Sequence, residues 1–402
     1  VGSYTQLLKR PGVGRIIAAQ LTARFPFGMI SLAFLLHIEH QTGSYAAAGL
    51  VLAATSIGQA VAGPMTSRFM GVWGMRRVLT TTMIVCAISV TAIAVLPLTL
   101  PWYVVVGTVA GISMPPVQSA VRTIYPKIVP GNQLTPLFSL DATAQEIIWV
   151  VGPVVTTFVS TQIGTVWGIL LAVAFLVGGG IWFIASPEVG RVRIPRSKRA
   201  FGVVLRRPPV LLATVVGFLL IGGCSAIEAG VVAVFGHGNP NSGIVLAIFS
   251  IGSIAGGLTF GRVPIGPWAM ARRMFIVFVG TAAAMAMMDF WWLAATLFVA
   301  GIGIAPALAV MYAIVSSSVK FSDTAEAYGW LNTGQLIGAA LGSAAAGLLI
   351  DSSGPQGAIW AATAFTFLGF LAGVVGHRWH PDLRGRDASP IPDTEPVPTQ
   401  LS

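Results

Sequence analysis

Apolar stretches of about twenty residues recur along nearly the whole chain, and each is long enough to cross a bilayer core of about 30 Å as a helix. Their approximate limits are 14–38, 45–68, 78–96, 102–125, 136–160, 164–186, 210–235, 243–261, 273–289, 292–316, 326–350 and 356–377. A water-soluble fold with this sequence would have almost nothing to place on its surface. Of 402 residues, 55% are hydrophobic and 9% charged, against about a quarter charged in ordinary soluble domains. The expected fold class is therefore an all-α membrane protein with twelve transmembrane helices. The first stretch has no small-residue cleavage site behind a short apolar core, so it reads as a retained helix rather than a signal peptide.

The charges set the orientation. When the spans alternate direction, every Lys and Arg except Arg24 falls on one side: Lys9, Arg10 and Arg15; Arg68, Arg76 and Arg77; Arg122 and Lys127; the run from Arg191 to Arg207; Arg262, Arg272 and Arg273; Lys320; Arg378, Arg384 and Arg386. The opposite loops, such as His37 to Ser44, Gly236 to Ser242 and Asp351 to Gly357, carry none. Basic loops stay cytoplasmic, so both termini are expected inside. This distribution also removes a nucleic-acid reading of the net charge of +10, because such binding needs a basic patch on a soluble face. Cys86 and Cys224 fall inside spans without metal or disulfide spacing, and read as small core residues.

The chain repeats itself. Val109-Ala110-Gly111-Ile112 returns as Val299-Ala300-Gly301-Ile302, and Trp102, Pro116, Thr143, Gln145 and Gly152 find Trp292, Pro306, Thr333, Gln335 and Gly342 at the same offset. Ser56-Ile57-Gly58, Gly63 and Arg68 match Ser250-Ile251-Gly252, Gly257 and Arg262 at a slightly larger one. Such collinearity over six spans predicts two parallel-related six-helix bundles, with an axis along the membrane normal. The domain boundaries follow: 1–186, a basic linker 187–209, 210–378, and a polar, Pro-rich tail 379–402 expected to be disordered.

Over about residues 5 to 378 the chain resembles the major facilitator superfamily. The loop after the second span reads Gly63-Pro-Met-Thr-Ser67-Arg68, then Gly74-Met-Arg76-Arg77. It is similar to the family's Gly, Asp-Arg, Gly and two basic residues, with Ser67 in place of the acid. In the family this loop latches the two halves at the cytoplasmic face, so the resemblance implies that role for Gly63, Arg68, Gly74, Arg76 and Arg77, with plain positive-inside charge as the alternative. The missing acid leaves Arg122 of the fourth span to find another partner, for which Glu188 is the candidate. Gly152-Pro153 is similar to the Gly-Pro of the family's antiporter signature, although the other glycines of that signature are absent and a packing kink explains the pair as well.

Ionisable groups inside spans are expensive and default to functional candidates. Arg24 and Glu146 lie at matched depth in the first and fifth spans and are expected to pair, with Glu146 as the coupling acid; a permanent structural pair is the alternative. Asp141, off the face of Glu146, is expected to serve Arg122 or the inner vestibule. Glu228, in the seventh span beside Gly222-Gly223-Cys224, is a further cavity candidate. Asp323 and Glu326 fit a capping box at the start of the eleventh span. Uncharged cavity candidates are Gln59, Gln118, Tyr312, Asn332, Gln335, Met114 and Trp149, with interhelical packing as the alternative for each.

No Gly-Lys-Ser phosphate loop is present, so no ATP coupling and no cofactor are expected. No metal site is expected either, since His37, His40, His237, His377 and His380 all lie at interfaces or loops. The leading expectation is a monomeric, proton-coupled secondary transporter in a bacterial cytoplasmic (inner) membrane, exporting an amphipathic or drug-like compound. Uptake of a nutrient by proton symport and a membrane binding protein without transport are the alternatives, and an intramembrane enzyme is the weakest.

Overall fold

The computed structural model describes residues 2–236, 240–261 and 263–394. Arg262 and His237 lie outside them. Among the described residues, eleven helical spans are long and apolar enough to cross a membrane: α1 Val13–Thr42, α2 Tyr45–Trp73, α3 Met75–Val95, α4 Leu100–Ile128, α5 Gly131–Gln162, α6 Thr165–Ala185, α7 Pro208–Phe235, α8 Pro240–Phe260, α10 Phe290–Ser318, α11 Phe321–Ser353 and α12 Pro355–Arg378. The twelfth helix, α9, runs Ala269–Ala284. At 16 residues it covers about 24 Å, at about 1.5 Å per residue. It starts earlier and stops sooner than the apolar pattern suggests.

Three spans break where the sequence denies the backbone its ladder. In α1, Phe25–Gly28 tightens to a 3-10 turn around Pro26, directly after Arg24. In α4 the regular helix stops at Ile112 and restarts at Val117 across Met114-Pro115-Pro116. In α10 it pauses at Gly303, ahead of Pro306. Each break lies mid-span and is covered by neighbouring helices, the condition under which irregular backbone is tolerated in a membrane.

Glycines carry the packing, and they repeat. A Cβ on Gly58 of α2 would strike the carbonyl of Thr108 in α4, and one on Gly111 would strike that of Thr55. In the second half the counterparts Gly252 and Gly301 meet the carbonyls of Phe298 and Phe249, joining α8 to α10. Gly28 and Gly152 press α1 on α5 just as Gly222 and Gly342 press α7 on α11. Contacts between the halves are exchanged in the same way, since Gly63 of α2 faces Thr333 of α11 and Gly257 of α8 faces Thr143 of α5. Small residues allow this backbone-to-backbone approach, which in lipid replaces the hydrophobic drive of a soluble core.

Hydrogen bonds joining the halves cluster towards the basic face. Thr333 Oγ1 donates to Ala60 O at 2.7 Å, Ser139 Oγ to Gly257 O at 2.7 Å, and Tyr4 of the short helix Gly2–Leu8 to the same carbonyl at 3.1 Å. Along their other ends α5 and α11 run exposed, at Val154 and Phe158 and at Leu341 and Leu348. The halves are closed at the basic face and part towards the opposite one.

The segment after Trp379, expected to be disordered, is tied down over its described part. Leu383 N donates to Ile265 O at 2.9 Å, and Ile391 N to Val319 O at 3.0 Å. Lys320 pairs with Ile391 in a parallel bridge. Its polar composition hid a strand-like seat along the α10–α11 loop.

Candidate functional site

Two charged regions occupy the interior. The first is sealed. Asp141 of α5 is fully buried, and its Oδ1 accepts from Arg24 Nη1 of α1 at 3.2 Å, Gln20 Nε2 at 3.1 Å and the Tyr125 hydroxyl of α4 at 3.2 Å. Its Oδ2 accepts from Arg122 Nε at 3.1 Å. Arg24 also donates to Gln20 Oε1 at 2.8 Å and to Gln145, while Arg122 reaches Gln118 and Gln145 at 3.4 Å each. The Arg122 guanidinium lies over the ring of Tyr312 in α10, 3.6 Å from its centroid, so this cluster spans the seam between the halves. Two guanidiniums against one carboxylate leave a net positive charge, spread over the amides, the phenols and the ring.

The second region opens away from the basic face. Glu146, next to Gln145 on α5 but turned about 100° around the helix, is half-buried and accepts from Ser253 Oγ of α8 at 2.8 Å. Ser250 is its other polar neighbour there. Glu228 of α7 is exposed, and near enough to Glu146 for their charges to interact. Cys224, one turn before Glu228, lies within the field of both acids. Two carboxylates from opposite halves thus face one gap.

These positions correct three expectations. Arg24 pairs with Asp141 and not with Glu146, because Gln20, Arg24, Asp141 and Gln145 share the α1–α5 interface while Glu146 faces α8. Arg122 takes Asp141 and not Glu188, whose Oε1 is bound by Arg15 at 2.5 Å. Asp323 and Glu326 form no capping box, since Asp323 makes no side-chain cap. Asp323 accepts from Ser197 of the linker at 2.5 Å, and Glu326 takes Arg68 at 2.6 Å and the Gly202 N–H at 2.7 Å.

Arg68 therefore joins α2 to α11 across the seam. Ser67, in place of the family's acid, bonds Ser119 of α4 at 3.0 Å. Gly74 caps α2 at φ 90°, Arg76 reaches Ser186 O at 3.5 Å, and Arg77 is exposed. Of the uncharged candidates, Gln118, Tyr312 and Gln335 converge on the sealed cluster, Gln335 beside the Tyr312 hydroxyl. Met114 is buried in the α4 break, Trp149 is exposed on the outer part of α5, and Gln59 and Asn332 are half-buried. Sequence reasoning missed Gln20, Tyr125 and Ser253. Ser253 was within reach, being the repeat counterpart of Gln59.

A duplicated twelve-helix bundle closed at one face, with acids lining the gap at the other, defines a class of polytopic membrane protein. The sequence profile of the Major Facilitator Superfamily matches residues 16–288 and again 226–398, and the chain belongs to that family. The human organic anion transporter MFSD10 (TETRAN) is similar in fold at TM-score 0.71 and 14% identity, over 90% of this chain and 98% of that one. The proton:xylose symporter XylE superposes at TM-score 0.71 and 14% identity, over 94% and 98%. A bacterial homologue of the iron transporter ferroportin, in an outward-facing state, gives 0.72 and 10%, over 90% and 98%. None of the curated protein sequences matches this one.

Proposed function

We propose that this protein is a proton-coupled secondary transporter that rocks one half against the other, and that it exports an amphipathic or drug-like compound. The observation that carries the reading is Glu146. It opens to the gap, shares it with Glu228 of the other half, and is held by a serine hydroxyl of α8. Charge-assisted hydrogen bonds are about twice as strong as neutral ones, so a proton on Glu146 loosens the α5–α8 contact that keeps the basic face shut. Proton binding is thereby tied to the motion that opens the basic face. Exposed Trp149 and the Gly152-Pro153 step on the same helix favour an amphipathic cargo and an antiport direction.

The decisive experiment is flux in proteoliposomes with an imposed pH gradient. Glu146→Gln keeps the shape and an acceptor for Ser253, so it is expected to abolish gradient-driven flux while leaving substrate binding and folding intact. Proton-driven transport retained in Glu146→Gln ends the role of this acid. A second reading, uptake of an anionic metabolite by proton symport, is favoured by the excess guanidinium at Arg24 and Arg122. The sign of the gradient that drives net flux separates the two.

A further inference from the structure

At the basic face of the second half, a buried guanidinium stands without a counter-charge. Arg273, in the second turn of α9, is 5% exposed, and its Nη1 is buried with no partner. Among the described residues it enters no ion pair. Arg24 and Arg122, buried to a similar degree, share Asp141. His380, just beyond α12, is 4% exposed; its Nδ1 lies 2.8 Å from the Pro381 carbonyl, and its Nε2 is buried and unpartnered. Arg273 and His380 are close enough for the arginine's charge to act on the imidazole, and burial together with that charge holds His380 down to about 4.

Among the described residues, the other charges around the pair do not neutralise it. Asp382 is bound by Arg384 at 2.6 Å, and Arg378 and Arg272 point to solvent. The chain between is fixed, with Leu383 N on Ile265 O at 2.9 Å and His377 stacked on Trp268 with ring centroids 4.3 Å apart. Because a carbonyl can only accept, Nδ1 carries the proton and Nε2 of the neutral ring is left as an acceptor. An unpaired buried cation is unfavourable unless an anion joins it. The open valences are therefore guanidinium N–H donors on one side and a lone pair on the other.

We propose that Arg273 and His380 form a binding site for a singly protonated phosphate monoester group, whose anionic oxygen takes the guanidinium and whose P–OH donates to His380 Nε2. The second ionisation of such a group falls near pH 6, so the singly protonated form is available at mildly acidic to neutral pH. A phosphatidic acid headgroup supplies it, and the inorganic phosphate monoanion offers the same P–OH beside an anionic oxygen. A phosphodiester headgroup or sulfate offers the charge without the hydroxyl.

The test uses the full chain, delipidated in detergent at pH 6, with thermal unfolding read against phosphatidic acid, phosphatidylglycerol, inorganic phosphate and sulfate. A rise in Tm with phosphatidic acid or phosphate is expected, at least about tenfold tighter than with phosphatidylglycerol or sulfate, the scale of one charge-assisted contact. A response to the lipid alone identifies a headgroup site, and one to phosphate alone a soluble anion. Arg273→Gln should remove the rise, whereas Arg272→Gln, losing an equal charge from the exposed surface, should keep it. If Arg273→Gln does not fold, His380→Phe serves, keeping a ring but no acceptor, and should lose the preference for the monoester. Equal responses to phosphatidic acid and phosphatidylglycerol, a Tm that no ligand moves, a response unchanged in Arg273→Gln, or an undiminished monoester preference in His380→Phe overturns the proposal.

Discussion

In the first half Gly28 and Gly152 bring the backbones of α1 and α5 together, and in the second half Gly222 and Gly342 do the same for α7 and α11. Four residues before these helix-one and helix-seven glycines the halves differ, with Arg24 in one and Phe218 in the other. Asp141 stands opposite Leu331 in the repeat, and Arg122 opposite Tyr312. Those last two meet across the seam at 3.6 Å, as residues near a shared axis must. Duplication has kept what close packing demands: a Cβ at Gly28 or Gly342 would strike a facing carbonyl, one at Gly222 the Phe365 ring, and one at Gly152 would crowd the Gly28 backbone. At the positions of Arg24, Arg122 and Asp141 it has left the residue type free, and there charge has settled in the first half only.

The largest effect is expected where that asymmetry is removed one residue at a time. Asp141→Leu copies the second half but leaves Arg24 and Arg122 with no anion, and breaking a buried network this way costs about 3–5 kcal/mol. Thermal unfolding in detergent should show the loss, or the protein should fail to reach a monodisperse state. Changing Arg24→Phe, Arg122→Tyr and Asp141→Leu together should recover most of the stability, since an apolar cluster of similar volume often matches a buried ionic one. A stable Asp141→Leu protein would show that the cluster holds nothing together.

The glycines test the other side of the comparison. Gly28→Val and Gly222→Val should each destabilise by about 1–3 kcal/mol, the usual scale of overpacking, and by similar amounts. If one is tolerated and the other not, the two contacts are not equivalent and the halves differ in scaffold as well as in charge.

The same division explains what could be read from the sequence. Spans, repeat and basic face were legible because lipid and close packing impose a residue type at known spacing. Arg24 was given the wrong partner because depth along a helix was matched and angle around it was not. Asp141 and Gln145, one turn apart, face α1, whereas Glu146 faces α8. That angle depends on how α5 tilts between two neighbours, which periodicity in an almost uniformly apolar helix does not report. Arg68 finding Glu326, 258 residues away, likewise depends on which conformational state closes the seam.

The smallest effect concerns that seam, where the repeat is again unequal. The α2–α11 gate carries the Arg68–Glu326 pair at 2.6 Å, but the repeat counterpart of Glu326 is Pro136 on α5, so the α8–α5 gate has no acid at that point. Arg68→Gln should therefore weaken only the α2–α11 side. Arg68 is partly exposed, which limits the pair to about 1 kcal/mol, roughly a fivefold shift in population towards the state open at the basic face. Spin labels at Val72 and Ser322 should report a larger fraction of long distances in Arg68→Gln. Glu326→Leu should shift the balance further, because it also removes the acceptor that holds the Gly202 N–H of the linker at 2.7 Å, while in Arg68→Gln that second bond survives. Equal shifts from the two variants would mean that the linker contact contributes nothing, and that the Arg68–Glu326 pair acts on the gate only beside the Thr333–Ala60 hydrogen bond and the packing of Gly63 and Gly329.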